Sequence, residues 1–364
     1  MTPRKLRVGV LGNCCTHGEF VVAALRAEPG AELVAGSEDD PRRTGALADA
    51  LGMPLRATHD ELVDDPEIDV VAISCDPGDK AHWVERAAEA GKHVFLNKPM
   101  CESLDSARRI VAAVAEHGIQ LVHDIIVIRF NPVTAKLLDE VRQGVYGGPL
   151  HYAHSWGMTF PNDFPLAEVW PERLDPAALA GGGELTNMGC YAIDYMVALW
   201  GRPLSVQAKW RKTWDPYRAA DVENFGQLVA DYGDFYATLA AGKQTIRSLP
   251  TMSVEEALAP RNWQNVLQLQ FADVNLTVLP QLDLVIRDGR EITVQEYVGE
   301  FETLTPFGQL ERAIETGAAP DSSAEAALLG VEVTMAAYRS ITEGGAAVEL
   351  PLEDGANPLI AEGR

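Results

Sequence analysis

Ala90-Gly91-Lys92-His93-Val94-Phe95-Leu96-Asn97-Lys98-Pro99-Met100 sets a short apolar run, His93 to Leu96, one residue ahead of a lysine and a proline. A run of this length, bounded by turn residues, reads as a strand buried in a parallel sheet. Lys98 then falls at its carboxyl end, the edge where open α/β sheets bind their ligands.

Outward from this strand, residues 1–122 alternate strand and helix patterns. The strand candidates are Arg7–Leu11, Glu32–Ser37, Val70–Ser74, His93–Leu96 and Gln120–His123. Helical patterns lie between them at Glu19–Ala27, Arg43–Leu51, Lys80–Ala90 and Leu104–His117. Right-handed crossovers between such strands give an α/β, Rossmann-type domain. From residue 123 to 364 the texture changes. A helix is expected over Pro132–Gln143, and strands over Val206–Thr213, Asn224–Asp231, Phe235–Ala240, Val266–Phe271 and Val274–Ile286. This predicts a C-terminal α+β domain on a large, open, mainly antiparallel sheet, with the helix Ala324–Thr342 packing back against the body.

The loop after the first strand reads Gly12-Asn13-Cys14-Cys15-Thr16-His17. A dinucleotide motif Gly-x-Gly-x-x-Gly needs glycines at 12, 14 and 17, and only the tight-turn Gly12 is present. Cys14 adds a Cβ where backbone meets pyrophosphate, and His17 replaces the glycine that lets helix and sheet approach. Glu38 and Asp39 follow the second strand, where a carboxylate accepts from ribose hydroxyls and repels a 2′-phosphate. NAD is therefore favoured over NADP, with Arg42 and Arg43 keeping NADP open.

Gly181-Gly182-Gly183-Glu184-Leu185-Thr186-Asn187-Met188-Gly189-Cys190-Tyr191-Ala192-Ile193-Asp194 is the second informative stretch. With the strand-end Lys98-Pro99, it resembles the Gfo/Idh/MocA family of sugar and cyclitol oxidoreductases. That family carries Glu-Lys-Pro where this chain has Asn97-Lys98-Pro99, and Gly-Gly-Gly-x-Leu-x-Asp-x-Gly-x-His-x-x-Asp at the triplet. Here the aspartate is Asn187 and the histidine is Tyr191, a tyrosine that some family members share. Asp194 is retained. The resemblance implies a catalytic set of Lys98, Asn187, Tyr191 and Asp194. It also implies cofactor contacts at Gly12–His17, Glu38, Asp39, Cys75, Asp76, Pro77, Asn97 and Lys98.

Residue chemistry refines those roles. Oxidising a secondary alcohol needs a base for the hydroxyl proton while hydride leaves for the nicotinamide. A tyrosine titrates near pH 10, and a neighbouring cation such as Lys98 lowers that value. Asn187 cannot take a proton but can hold a sugar hydroxyl. Four-residue spacing on a helix puts Asn187 and Tyr191 on one face. Asp194 is expected to tie down the helix or the lysine. Trp156 and Trp170 offer aromatic faces to a sugar ring, and an ordinary core role weighs equally.

The reaction expected is hydride transfer between nicotinamide and a secondary alcohol of a sugar, cyclitol or polyol. Two other readings stand beside it. One is an enzyme with tightly bound NAD that oxidises transiently to eliminate, hydrolyse or epimerise a glycoside. The other is a catalytically lapsed binding or regulatory homologue. A net charge of −23 opposes a nucleic-acid partner. The longest apolar opening run, Val8–Leu11, is too short for a membrane span or a signal core. Five cysteines, an odd number without metal-ligand spacing, fit a reduced cytoplasmic protein with no metal. By resemblance, a homodimer or homotetramer through the C-terminal sheet is expected.

Overall fold

The computed structural model describes residues 4–160, 164–174, 180–243 and 263–360. They divide into two compact units, Met1–Ile125 with Leu304–Leu328, and Ile126–Thr303 with Leu329–Arg364.

In the first unit, strands β1 (Leu6–Leu11), β2 (Ala31–Ser37), β3 (Val70–Ile73), β4 (His93–Asn97) and β5 (Leu121–Asp124) pair in parallel, in the order β2-β1-β3-β4-β5. Helices α1 (His17–Arg26), α2 (Pro41–Leu51), α3 (His59–Val63), α4 (Lys80–Glu89) and α5 (Leu104–His117) connect them. Local chemistry sets their ends. Asp40 caps α2 ahead of Pro41, Ser103 caps α5, and left-handed Gly52 and Gly118 close them. Val8, Val10, Leu25, Val70 and Phe95 form the core, joined by Phe307 and Leu310 of the helix Pro306–Thr316. Each such side chain contributes roughly 1.5–3 kcal/mol by leaving water. Strand order reverses between β1 and β3, so the loops leaving those strands meet at the carboxyl edge.

The second unit holds a nine-stranded sheet. Its strands are β6 (Pro149–Met158), β7 (Ser205–Arg211), β8 (Phe225–Asp231), β9 (Tyr236–Lys243), β10 (Trp263–Phe271), β11 (Asn275–Leu279), β12 (Leu284–Arg287), β13 (Arg290–Thr293) and β14 (Val348–Glu349). They lie in the order β13-β12-β11-β10-β6-β9-β8-β7-β14, antiparallel except for β6 with β9. One face is covered by the helix Gly189–Trp200, which runs against β6. Ring pairs Trp156–Tyr191, His154–Tyr195 and Tyr152–Trp200 mark the contact, with centroids 5.9, 6.5 and 5.0 Å apart. Alternate residues such as Gln207, Gln227, Val229 and Gln268 are exposed on the opposite face.

Three expectations are corrected. Val274–Ile286 is two strands, because Pro280 lacks an N–H and opens a turn closed by left-handed Asp283. The central strand β6, which carries Trp156, is an addition to the expected set. The segment Leu304–Leu328 packs with the first unit, although its sequence position puts it in the second.

Candidate active site

The loop after β1 folds back on the loop after β3. A Cβ on Gly12 would sit 2.7 Å from the Cys75 backbone, and Cys14 N–H donates to the Ser74 carbonyl at 2.9 Å. A 3-10 turn over Cys14–Thr16, with Cys15 and Thr16 left-handed, carries the chain into α1. This turn moves the close helix–strand approach to Gly18, where a Cβ would lie 2.5 Å from the Gly12 carbonyl oxygen. The packing glycine expected at position 17 is therefore present one residue further on. Asn13 Oδ1 accepts from Glu19 N–H at 3.2 Å, and Asn13 Nδ2 returns a bond to Glu19.

Glu38 braces the same loop. Its carboxylate accepts the Asn13 N–H at 2.6 Å and the Asp40 N–H at 2.8 Å, and burial raises its pKa. Asp39 lies 3.6 Å from His59. Both arginines that kept NADP open are engaged by carboxylates: Arg42 by Asp40, and Arg43 by Asp76 at 3.0 Å and Asp40 at 3.2 Å. Pro77 opens a short 3-10 turn ahead of α4, and His82 lies within α4. The loop after β1 stands at the carboxyl edge where strand order reverses, the place at which open α/β sheets take a dinucleotide.

Lys98 is buried at the end of β4. From α4, the buried Lys80 Nζ donates to the carbonyls of Asn97 and Pro99, fixing the peptide on both sides of Lys98. Asn97 pairs in register with Asp124, and its Nδ2 donates to Asp124 Oδ2 at 3.2 Å. Burial pushes the Asp124 carboxyl up to about 6, against the opposing pull of Asn97, Lys80 and Lys98. Sequence reading missed Lys80 and Asp124. A lysine on an amphipathic helix carries no signal of burial, and Asp124 matters only through cross-strand register.

In the second unit, the glycine triplet threads between two side chains. A Cβ on Gly182 would overlap the Tyr338 hydroxyl, and one on Gly183 would overlap the Glu223 backbone. Glu223 accepts from Leu185 N–H at 2.7 Å and from the Tyr338 hydroxyl at 3.1 Å. Burial pushes its carboxyl up to about 7. The chain then forms a short helix, Glu184–Asn187, and restarts as Gly189–Trp200 after Met188. The expected single helix is thus interrupted between Asn187 and Tyr191. Asn187 Nδ2 donates to Glu184 Oε2 at 2.7 Å, while the half-buried Tyr191 meets the Trp156 ring. Trp156 Nε1 has no hydrogen-bond partner among the described residues. Trp170 lies beneath Lys243 Nζ at 5.1 Å.

Asp194, on the helix Gly189–Trp200, is held by Arg129 at 3.2 Å, both side chains buried. His154 is wedged between Tyr152 at 2.8 Å and Asn265 at 3.0 Å. Burial pulls it down to about 4. Four of the five cysteines are buried and Cys190 is half-buried, all as thiols rather than disulfides. No cluster of three or more His, Cys, Asp or Glu among the described residues could hold a metal. Nor is any helix among them long and apolar enough to cross a membrane.

A dinucleotide-binding unit and a second unit with a large sheet define a class that comparison makes specific. Residues 6–124 match the oxidoreductase family with NAD-binding Rossmann fold, and residues 134–254 match the GFO/IDH/MocA C-terminal domain. D-xylose 1-dehydrogenase (NADP(+)) 2 of Haloferax volcanii is 26% identical over 94% of this chain and 99% of its own. Inositol 2-dehydrogenase of Acidothermus cellulolyticus is 31% identical over 42% of this chain and 46% of its own. Levoglucosan dehydrogenase, solved with NADH and levoglucosan, shares the fold with a TM-score of 0.79 at 19% identity, covering 96% of this chain and all of that one. The chain belongs to the Gfo/Idh/MocA family. It is an NAD(P)-dependent oxidoreductase acting on CH–OH groups.

Proposed function

We propose that this oxidoreductase uses NAD to oxidise a secondary alcohol of a sugar, cyclitol or related polyol, with Lys98 and Tyr191 handling the carbinol. The observation that carries this reading is Lys98, buried at the carboxyl edge of the nucleotide-binding sheet with both flanking carbonyls clamped by Lys80. Bound NAD supplies the hydride acceptor. Lys98 Nζ holds the carbinol oxygen and favours its ionised form, while Tyr191 Oη takes the proton. Asn187 holds a neighbouring hydroxyl, and Asp194 fixes its helix through Arg129.

Gly12, Cys15, Thr16 and His17 would cradle the pyrophosphate, with Asn13, Cys14, Gly18, Cys75, Asp76 and Pro77 shaping the loop. Glu38 and Asp39 would face the adenosine ribose. Engagement of Arg42 and Arg43 by carboxylates supports NAD over NADP, even though the Haloferax relative is named for NADP.

The face of the large sheet opposite the helix Gly189–Trp200 forms a concavity lined by Ser155, Gln207, Gln227, Val229, Thr238 and Gln268, among others. Its mostly uncharged lining supports pairing with a second copy in a dimer or tetramer. Reduced thiols throughout support a cytoplasmic location.

The test is a panel including D-xylose and myo-inositol, followed by NADH formation, with parallel fluorescence titrations of NADH and NADPH. Polyol-dependent reduction of NAD and tighter NADH binding are expected. Tighter NADPH binding would remove Glu38 from its ribose role.

A further inference from the structure

Glu184, fully buried, stands one turn ahead of Asn187. Its Oε1 accepts from Lys243 Nζ at 3.0 Å and from the Tyr217 hydroxyl, and its Oε2 accepts from Asn187 Nδ2 at 2.7 Å. Burial would push this carboxyl up. The Lys243 and Arg173 charges and the hydrogen bonds from Tyr217 and Asn187 outweigh burial and hold it below the usual carboxylate range. Lys243, on β9, is itself buried against Trp170. An ionised carboxylate has no proton to give, so the amide facing it must present its NH2.

We infer that Glu184 is a positioning residue that commits the Asn187 carboxamide to one orientation, fixing the directions in which its Oδ1 and its second Nδ2–H point. The inference rests on the reading of Asn187 as a substrate-holding residue. Lys243 and Tyr217 keep Glu184 ionised and fixed, so the orientation does not relax when substrate arrives.

Glu184→Gln can either donate or accept, which frees the amide to turn. With the panel polyol that the native enzyme oxidises fastest, this variant should raise KM about tenfold while kcat changes less than about threefold. Asn187→Asp places two carboxyls in contact, which requires a shared proton. Its melting temperature should therefore fall between pH 6 and pH 8 more steeply than that of the native enzyme. The double variant E184Q/N187D exchanges donor and acceptor across the same contact. It should return KM to within about threefold of native and remove the added pH dependence of melting.

Native KM in Glu184→Gln, with KM raised in Asn187→Ala, would overturn this inference alone. Native KM in Asn187→Ala would overturn the underlying reading of Asn187, and this inference with it. An Asn187→Asp melting curve with no added pH dependence would overturn the contact itself.

Discussion

At the scale of single residues, Lys98 was legible because a lysine between an apolar run and a proline fixes its own place at a strand end. Asn187 and Tyr191 were legible through the glycine triplet that precedes them. Glu184, Lys80, Asp124 and Glu223 were not, since each acts through burial and through partners remote in sequence. Glu223 provides a direct check on that burial. Its pKa is raised, so the folded chain binds an extra proton between roughly pH 4.5 and 7. Stability therefore falls as pH rises through that window, by roughly 3 kcal/mol once the group is ionised in both states. Glu223→Gln keeps an oxygen for Leu185 N–H and the Tyr338 hydroxyl, and places its NH2 where Oε2 now has no partner among the described residues. Its thermal melt should lie above that of the native protein at pH 8 and converge with it near pH 5. A variant less stable than native at pH 8 would show that the ionised carboxylate is well compensated.

Among the elements, the parallel strands and four of their five helices could be read to within two residues at their ends, because short apolar runs and capping residues mark them, while α3 was not read at all. The central strand β6 could not. His154 puts a polar side chain in its inward row between Tyr152 and Trp156, and it becomes a strand through pairing with β9 and β10. The dinucleotide loop departs from its expected spacing for a related reason: spacing is counted along the chain, while close approach is set in space. Gly18 rather than residue 17 meets the Gly12 carbonyl oxygen. Gly18→Ala should cost about 1–3 kcal/mol by forcing α1 from β1, lowering the melting temperature and weakening NADH binding. Gly45, within α2 and with open space where a methyl group would project, is the control. Gly45→Ala should instead stabilise by about 1 kcal/mol. Equal behaviour of the two variants would remove the close-packing role from Gly18.

For the whole molecule, composition bounded the partners and the two-part organisation followed from texture, but the path of Leu304–Leu328 did not. That segment joins the first unit through Phe307 and Leu310, contacts invisible to a reading in chain order. The open sheet face makes its own prediction. Val229→Lys adds an unpaired charge to a surface proposed to be covered by a second copy, and should convert the assembly to monomer in size-exclusion chromatography with light scattering. A native protein already monomeric at micromolar concentration would dismiss that surface as an interface. The central claim, proton transfer by Tyr191 during NAD-linked oxidation, is most directly tested by single-turnover NADH formation from NAD and the best panel polyol. Tyr191→Phe should slow this step by about two to four orders of magnitude while NADH affinity stays at the native value. NADH formation by Tyr191→Phe at the native rate would contradict the account.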